Sequence, residues 1–144
     1  MKCIVQKACD AACIVNGSEI SKIKNGLMVL VGFTEGDNEE TISWMAKKIV
    51  NLRIFEDSDD VMNLSLLDVG GEILSISQFT LYADTKKGNR PSYTEALKNN
   101  EARDLYELFN KELGKYISVK TGSFGEHMEI KFTNVGPTTI ILKR

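Results

Sequence analysis

Three hydrogen-bonding side chains end an apolar run in the segment Ser77-Gln78-Phe79-Thr80. If the chain bends there, backbone N–H groups become free, and such groups can stabilise the oxyanion of an acyl-transfer reaction. Ser77 or Thr80 could instead act as a nucleophile, but a hydroxyl needs a neighbouring base to activate it. The segment is therefore a candidate catalytic site, with backbone donors as one interpretation and a nucleophilic hydroxyl as the other.

The chain has a single imidazole, His127, inside the glycine-containing segment Gly122–Met128. Nothing in the sequence brings it to Thr80, so the pattern favours a surface histidine over a catalytic base. A hydrolase of the Ser-His-Asp type is not indicated. Phe124 and Met128 of the same segment could wall a pocket, although packing in the core would explain both equally well.

A compact basic loop follows the candidate site in the sequence Lys86-Lys87-Gly88-Asn89-Arg90-Pro91. Glycine and proline make this stretch a loop rather than a helix. Its cations, Lys86, Lys87 and Arg90, could hold a few phosphates of a nucleic acid. A solvated charged loop is the alternative interpretation.

A Gly136-Pro137 step lies between two strand-like runs, in the segment Asn134–Thr139. Proline cannot donate to a sheet ladder, so the step predicts a turn or a sheet edge. Glycine leaves the neighbouring carbonyl unshielded, and a rigid pair of carbonyl acceptors could recognise a ligand. An ordinary turn is the other interpretation.

Length and composition predict one domain over residues 1–144, because no linker or repeat divides the 144 residues. The net charge of −2 argues against a protein that coats long stretches of nucleic acid. The apolar run Leu27–Val31 is too short to span a bilayer, and the first residues contain no signal-peptide core. We therefore expect a cytoplasmic protein.

Three cysteines, Cys3, Cys9 and Cys13, lie close together near the start of the chain. Their odd number and crowding predict reduced structural thiols. A zinc site would need a fourth ligand and a known spacing, and the sequence offers neither. Neither glycine-rich nucleotide-binding motif occurs, so a nucleotide-binding fold has no support.

Several β-prone segments must position these residues. Cys3–Gln6 and Ala12–Val15 precede a turn signal at Asn16-Gly17, which predicts hairpins at the start of the domain. Leu27–Phe33 is apolar on both faces and predicts a buried central strand. Glu72–Leu81 predicts a second strong strand. Further strands are expected at Val119, Met128–Phe132 and Thr139–Leu142.

Helices are predicted between these strands. Asp37 with Glu40 forms a capping-box pattern before a helical apolar spacing from Ile42 to Leu52. Ser92 with Glu95 predicts the start of a short helix, and the spacing from Ala102 to Tyr116 predicts a longer one. The acidic stretch Glu56–Asp60 lacks the spacing of a calcium loop and predicts a solvated turn.

Because the hairpin signals are short and the two long helices lie far apart, we expect an α/β fold. Its sheet would be mainly antiparallel and strongly curved, with the helices packed on one side.

Two of these segments, Ser77–Leu81 and Asn134–Thr139, resemble the signature motifs of D-aminoacyl-tRNA deacylases, formerly called D-Tyr-tRNA(Tyr) deacylases. The likeness covers nearly the whole chain. Its flanking parts include Val5-Gln6, Gly26-Leu27, Asn51–Asp57, Asn63–Asp68, Gly88–Ser92 and Thr121–Gly125.

The resemblance implies a homodimer with the family's barrel-like fold and with each active site at the subunit interface. It implies a cis Gly136-Pro137 bond, on a loop that reaches into the partner's pocket and faces the segment Ser77–Thr80 there. The family hydrolyses the ester between a D-amino acid and the terminal adenosine of tRNA, without a metal or organic cofactor. Phe124, Met128, Asn134 and Thr139 would help Gly136 and Pro137 to bind the substrate.

On this reading, fixed carbonyls hold the substrate's ammonium and steric exclusion rejects L-residues, so achiral glycine could pass. Backbone N–H groups near Phe79 and Thr80 would form the oxyanion site, and the ribose 2′-hydroxyl could assist water. Thr80 as a covalent nucleophile is the competing mechanism. A non-catalytic module that binds nucleic-acid ends on the same scaffold is the competing function, and a hydrolase of other small esters or amides is a weaker third.

Four residues depart from the family's usual pattern. Lys7 stands where arginine is common after Val-Gln, and Val135 stands where aspartate is common. Glu126 and His127 replace a small residue followed by a polar one. These departures leave the motif residues intact and bear on affinity or chiral selectivity, since lysine lacks the two-pronged donor geometry of arginine.

Overall fold

The computed structural model describes residues 1–144, which form seven strands, three α-helices and one 3₁₀ helix. The strands are β1 (Lys2–Val15), β2 (Ser18–Gly32), β3 (Phe55–Glu56), β4 (Met62–Leu64), β5 (Glu72–Ser77), β6 (Val119–Thr121) and β7 (Glu129–Lys143). The helices are α1 (Glu39–Val50), α2 (Leu66–Val69) and α3 (Asn99–Leu113), and the 3₁₀ helix is Phe79–Tyr82. Five strands form an open sheet in the order β6-β5-β2-β1-β7, while β3 pairs with β4.

The β1–β2 hairpin confirms the turn predicted at Asn16-Gly17. Both residues have positive φ, 50° and 79°, as a two-residue turn that follows the twist of its strands requires. The antiparallel pairing runs from Val15 opposite Ser18 to Lys2 opposite Gly32. One long hairpin therefore opens the fold, where the sequence had suggested shorter ones.

The central position predicted for Leu27–Phe33 is confirmed, because β2 lies between β1 and β5. The sheet is mixed: β1 pairs antiparallel with β2 and β7, whereas β5 pairs parallel with β2 and β6. The parallel pairs follow from long connections that contain α1 and α3. Gly26 has a φ of 148°, and a Cβ there would lie 1.9 Å from the Glu72 carbonyl oxygen, so only glycine permits this approach.

Helices α1 and α3 pack together against one face of the sheet, as predicted. Nineteen buried residues form the core there, including Met45 and Ile49 of α1 and Phe109 and Leu113 of α3. A smaller cluster of seven buried residues includes Met28 and is packed by side chains of β7. No helix of the chain is long and apolar enough to cross a membrane.

Two predicted helix starts are corrected. Asn38, rather than Asp37, caps α1, and its Oδ1 accepts from the Thr41 N–H at 3.1 Å. Asp37 is engaged elsewhere, by the amino group of Met1 and the N–H of Thr34.

No helix forms at Ser92–Glu95. The backbone of Ser92 instead exchanges two hydrogen bonds of 2.8 Å with Asp84, which leaves no capping geometry. Tyr116 also lies beyond the end of α3 and is exposed.

Two strand predictions also change. The strand predicted over Glu72–Leu81 ends at Ser77, where the 3₁₀ helix begins to bend the chain. The two strands predicted near the C-terminus are one, β7, interrupted by a bulge.

The acidic stretch is the predicted turn, between β3 and β4. There the amide of Asn63 and the N–H groups of Asp59 and Val61 donate to Asp57 and lower the pKa of its carboxyl.

The cysteines are free thiols, as predicted. Cys3 and Cys13 are buried, and burial raises the pKa of both. Cys9 is partly exposed.

Candidate active site

A cavity of about 520 Å³ opens where β5 ends, beside the start of α3 and the loop before β7. It brings together five of the predicted site residues: Ser77, Gln78, Phe79, Phe124 and Met128. The remaining wall is made by Gly32, Phe33, Ile76, Leu97, Asn99, Ala102, Gly125, Glu126, His127 and Ile130. Eight of the fifteen wall residues are hydrophobic, and the end of β5 with the following turn contributes Ile76, Ser77, Gln78 and Phe79.

The turn at the strand end is held against the central strand. The Gln78 N–H donates to the Val31 carbonyl at 2.7 Å, which fixes the first residue of the bend. A Cβ on Gly32 would lie 2.8 Å from the Gln78 carbonyl oxygen and 3.2 Å from Cβ of Leu81. Glycine at position 32 therefore allows the turn to pack directly on β2.

Two backbone donors of this turn are free. The N–H groups of Phe79 and Thr80 donate to no atom of the chain, since they open the 3₁₀ helix. The following donors are used: Leu81 N–H bonds the Gln78 carbonyl, and Ala83 N–H bonds the Thr80 carbonyl. Phe79 lines the cavity, whereas Thr80 follows it in the 3₁₀ helix and is not part of the wall. Adjacent free N–H groups beside a cavity are the arrangement that an oxyanion needs.

The hydroxyl of Thr80 is held by its neighbour. Nε2 of Gln78 donates to Oγ1 of Thr80, and both side chains are half-buried. No imidazole, amine or carboxylate hydrogen-bonds this hydroxyl, and His127 is exposed and makes no hydrogen bond to it. The geometry gives Thr80 a structural partner and no activating base.

Aromatic side chains frame the cavity. The Phe79 ring is 54% exposed and meets the Tyr93 ring edge to face, with centroids 5.0 Å apart. The centroids of the Phe124 and Tyr106 rings lie 5.9 Å apart. The guanidinium carbon of Arg103 lies 5.3 Å from the centroid of the Phe124 ring. Phe79 and Phe124 therefore give the cavity flat apolar surfaces, which suit a nucleoside or an aromatic side chain.

Sequence reasoning did not place several of the wall residues at the site, among them Phe33, Leu97, Asn99 and Ala102. They come from the end of β2 and from the start of α3, which are distant in sequence. Glu126 had been noted only as a departure from a family pattern, and His127 also as a surface histidine, yet both line the cavity. One signal in the sequence could have indicated that they line the cavity. Both lie in a glycine-containing loop, next to Phe124 and Met128, which were predicted to wall a pocket.

The Gly136-Pro137 step lies in a bulge of the edge strand β7, as a proline in a sheet predicts. Thr139 pairs with Gln6 and Asn134 pairs with Ala8, so Val135–Thr138 bulge out opposite Lys7. The peptide bond is cis, and Gly136 and Pro137 are exposed. Gly136 has a φ of 113°, which disfavours any other residue.

A hydrogen-bonded cluster closes the base of the bulge. Oγ1 of Thr139 donates to the Pro137 carbonyl at 3.3 Å and accepts from Nδ2 of Asn134 at 3.2 Å and Nε2 of Gln6 at 3.3 Å. None of the bulge residues lines the cavity of the same chain. The structure of one chain therefore leaves the predicted binding residues in two separate places.

Lys7 lies beneath the bulge and is buried. Its ammonium binds both carboxylate oxygens of Glu56, at 2.7 and 2.5 Å, and holds the pKa of that carboxyl below its usual range. Lys7, one of the four residues noted above as departures, is thus engaged by Glu56 of β3. Val135, the neighbouring departure, is exposed at the bulge.

The basic loop is exposed, as either interpretation of it requires. Lys86, Lys87 and Arg90 are all exposed. A pair of backbone bonds between Asp84 and Ser92 closes the loop. None of the three cations is part of an ion pair within the chain, so their charges are available to a ligand.

Comparison with known proteins adds independent evidence. The sequence profile of the D-Tyr-tRNA(Tyr) deacylase family matches residues 4–143. A D-aminoacyl-tRNA deacylase of Bacillus licheniformis is 54% identical over 99% of this chain and 97% of its own length. The corresponding enzyme of Thermosipho africanus is 48% identical over 99% of this chain and 96% of its own length.

Solved structures show the same fold. The c-Myc DNA Unwinding Element Binding Protein superposes with a TM-score of 0.95 at 37% identity, over 100% of this chain and 99% of that one. A protein described as "a probable eukaryotic D-amino acid tRNA deacylase" gives a TM-score of 0.82 at 17% identity, over 98% and 97% of the two chains. By sequence and by fold, the chain belongs to the D-Tyr-tRNA(Tyr) deacylase family.

Proposed function

We propose that this protein hydrolyses D-aminoacyl-tRNA to a free D-amino acid and tRNA. The family membership and the relatives named D-aminoacyl-tRNA deacylase, about half identical over almost the full chain, support this activity. Such a reaction removes D-residues from the tRNA pool before protein synthesis, so we place it in the cytoplasm.

One observation carries the chemistry: the N–H groups of Phe79, which lines the cavity, and of the adjacent Thr80 are both free. Water attacks the ester carbon, the carbonyl oxygen gains negative charge, and both N–H groups donate to it. The bond to the ribose oxygen then breaks, and a proton passes from the attacking water to that leaving oxygen. The neighbouring 2′-hydroxyl of the ribose relays this proton, which accounts for a site with no apparent protein base.

The same geometry disfavours covalent catalysis by Thr80. The Gln78 amide donates to its hydroxyl oxygen and so withdraws electron density from the atom that would attack. Ser77 and Gln78 instead order the pocket, and Phe124 and Met128 form its wall.

The bulge supplies the chiral selectivity. We propose a homodimer in which the Gly136-Pro137 bulge of one chain enters the cavity of the other. The bulge is exposed and does not reach its own chain's cavity, and a twofold dimer would bring two such pairs together. The Gly136 and Pro137 carbonyls then hold the substrate's ammonium and exclude the side chain of an L-residue.

The tRNA end lies across the cavity mouth. Lys86, Lys87 and Arg90, with no ion-pair partner in the chain, contact its phosphates. Contacts of this kind position the substrate but do not select a particular amino acid.

The experiment that tests this function compares release of tyrosine from D-Tyr-tRNA and L-Tyr-tRNA by the purified protein. We expect rapid release from the D-ester and little from the L-ester. Equal rates on both esters would contradict chiral selection. If the protein releases tyrosine from neither ester but still binds tRNA, the result would favour a non-catalytic module that binds nucleic-acid ends.

A further inference from the structure

We infer that Thr139 is a positioning residue that fixes the direction of the Pro137 carbonyl. This inference rests on the proposed function, in which that carbonyl receives the ammonium of the substrate. Thr139 itself would then contact no substrate atom, although the sequence had grouped it with the binding residues.

The hydrogen-bonding capacity of one hydroxyl carries the inference. A threonine hydroxyl has one proton to donate and two lone pairs to accept with. Both acceptor positions of Thr139 are filled by amide N–H groups, from Gln6 at 3.3 Å and from Asn134 at 3.2 Å. The single proton is therefore left for the Pro137 carbonyl, 3.3 Å away.

The location of these donors matters as much as their number. Gln6 and Asn134 belong to the pairs that flank the bulge, Gln6 with Thr139 and Ala8 with Asn134. The hydroxyl thus joins β1, the start of the bulge and its end at one atom. A carbonyl tied to that atom cannot turn independently of the sheet.

The orientation of the Asn134 amide also favours donation of the Thr139 proton to the Pro137 carbonyl. Its Nδ2 faces Thr139, while its Oδ1 is buried without a partner. With the amide reversed, Oδ1 would compete with the Pro137 carbonyl for the Thr139 proton. The observed orientation keeps that proton on Pro137.

The adjacent threonine shows that the role belongs to position 139. Oγ1 of Thr138 is buried and has no hydrogen-bond partner. Only the hydroxyl of Thr139 is connected both to the sheet and to the carbonyl.

The test is steady-state deacylation of D-Tyr-tRNA by Thr139→Val and Thr139→Ser. Valine keeps the shape but removes the hydroxyl, so we expect KM to rise about fivefold to tenfold with kcat little changed. Serine keeps the hydroxyl and should restore most of the affinity. Thr133→Val is the matched control, since Thr133 is an exposed threonine of the same strand.

A second substrate separates positioning from general damage. The ester of tRNA with 3-(4-hydroxyphenyl)propionate lacks the α-amino group, so its hydrolysis should be equal in wild type and Thr139→Val. Equal KM for D-Tyr-tRNA in those two proteins would overturn the inference, as would equal losses in the serine and valine variants. If Thr139→Val does not fold, Thr139→Ala removes the same hydroxyl and must give the same result.

Different results would contradict the proposed function and the positioning role of Thr139. A wild-type protein that does not distinguish D-Tyr-tRNA from L-Tyr-tRNA contradicts the proposed function. A selective wild type whose affinity survives loss of the Thr139 hydroxyl contradicts only the positioning role.

Discussion

Nε2 of Gln78 donates a hydrogen bond to Oγ1 of Thr80, two residues further along the turn that borders the cavity. The contact orders both side chains, and no basic group hydrogen-bonds the Thr80 hydroxyl. In the proposed mechanism the turn acts through its backbone N–H groups, and substitutions can separate this role from that of the Thr80 hydroxyl.

We expect Thr80→Ala to retain deacylation of D-Tyr-tRNA within about tenfold of wild type, because the Thr80 N–H remains. If Thr80 were the nucleophile, the loss would be roughly a million-fold. Single-turnover deacylation measures the difference, and Thr80→Ser serves as the control that keeps the hydroxyl. A covalent acyl-enzyme trapped on Thr80 would contradict the prediction.

Removing one backbone N–H donor of the turn should slow deacylation far more than removing the Thr80 hydroxyl does. Phe79→Pro deletes the N–H at the first position of the 3₁₀ helix, where proline fits, and Gln78, at φ −144° and ψ 89°, lies outside the α region that a following proline disfavours. We expect kcat to fall about 10²–10³-fold.

Phe79→Ala is the matched control for this change, because it loses the ring and its contact with Tyr93 but keeps the N–H. Similar kcat values for the alanine and proline variants, both folded, would show that the Phe79 N–H is not an oxyanion donor.

Lys2 supports the far end of the same turn. Its Nζ donates to the Leu81 carbonyl at 3.2 Å and lies 4.2 Å from the centre of the Tyr82 ring. We expect Lys2→Met to lower the free energy of unfolding by about 1–2 kcal/mol. Lys2→Arg should preserve most of it. Chemical denaturation of the three proteins measures this, and an unchanged value for Lys2→Met would contradict the assigned contact.

Mixed dimers test whether the bulge acts on the partner. Phe79→Pro disables the turn, and Gly136→Val disables the bulge, because a Cβ there would lie 2.4 Å from Oγ1 of Thr138. If the two elements meet across the interface, a heterodimer of these variants contains one intact site. We expect about half the wild-type activity from it, while each homodimer stays inactive. No recovery in a confirmed heterodimer would place both elements within one chain.

Acid should weaken the region around β3, β4 and α2. Hydrogen bonds from Lys7, Asn63 and Ser65 lower the pKa of Glu56, Asp57 and Asp68 respectively. A carboxyl whose pKa is lowered by folding contributes stability above its unfolded pKa, and that contribution is lost as the pH falls through the folded pKa.

The loss should therefore begin near the ordinary values of 4.5 for Glu56 and 3.8 for the two aspartates, and continue below them. Denaturant unfolding from roughly pH 6 to pH 3 measures this slope. Asp57→Asn should flatten it, whereas Asp59→Asn, on the same exposed turn, should not. Equal slopes for both variants would contradict the role of Asp57.

Local patterns predicted the elements whose determinants lie close together in sequence. Asn16-Gly17 specified its hairpin turn, and the apolar run of β2 specified a buried strand. The parallel pairing of β5 with β2 could not be predicted in this way, because it depends on the fit of Gly26 against Glu72 across a long connection.

Contacts made elsewhere in the fold explain why the helix starts predicted at Asp37 and Ser92 were wrong. Asp37 and Asn38 are both good caps, and the contact between Asp37 and the Met1 amino group decides between them. Ser92 loses its capping role because its backbone pairs with Asp84. Tertiary contacts of this kind leave no trace in the local sequence.

The candidate site was predicted in part for the same reason. Each of the two motifs is a continuous stretch of sequence and could be recognised directly. They are Ser77–Thr80 and Asn134–Thr139, the second of which contains the bulge. The cavity wall from Phe33, Leu97 and Ala102 is assembled from separate elements, and the bend after Ser77 depends on the absence of a side chain at Gly32 across the sheet.

The position of the bulge has a further consequence for solubility. β7 is a fifteen-residue strand at the edge of the sheet, and an edge of that length is a template for edge-to-edge growth of aggregates. Pro137 offers no N–H to an incoming strand, the bulge breaks the straight run of backbone groups, and Lys131 and Lys143 add exposed charge on either side. The bulge that we propose to recognise the substrate thus also makes β7 a poor template for edge-to-edge pairing.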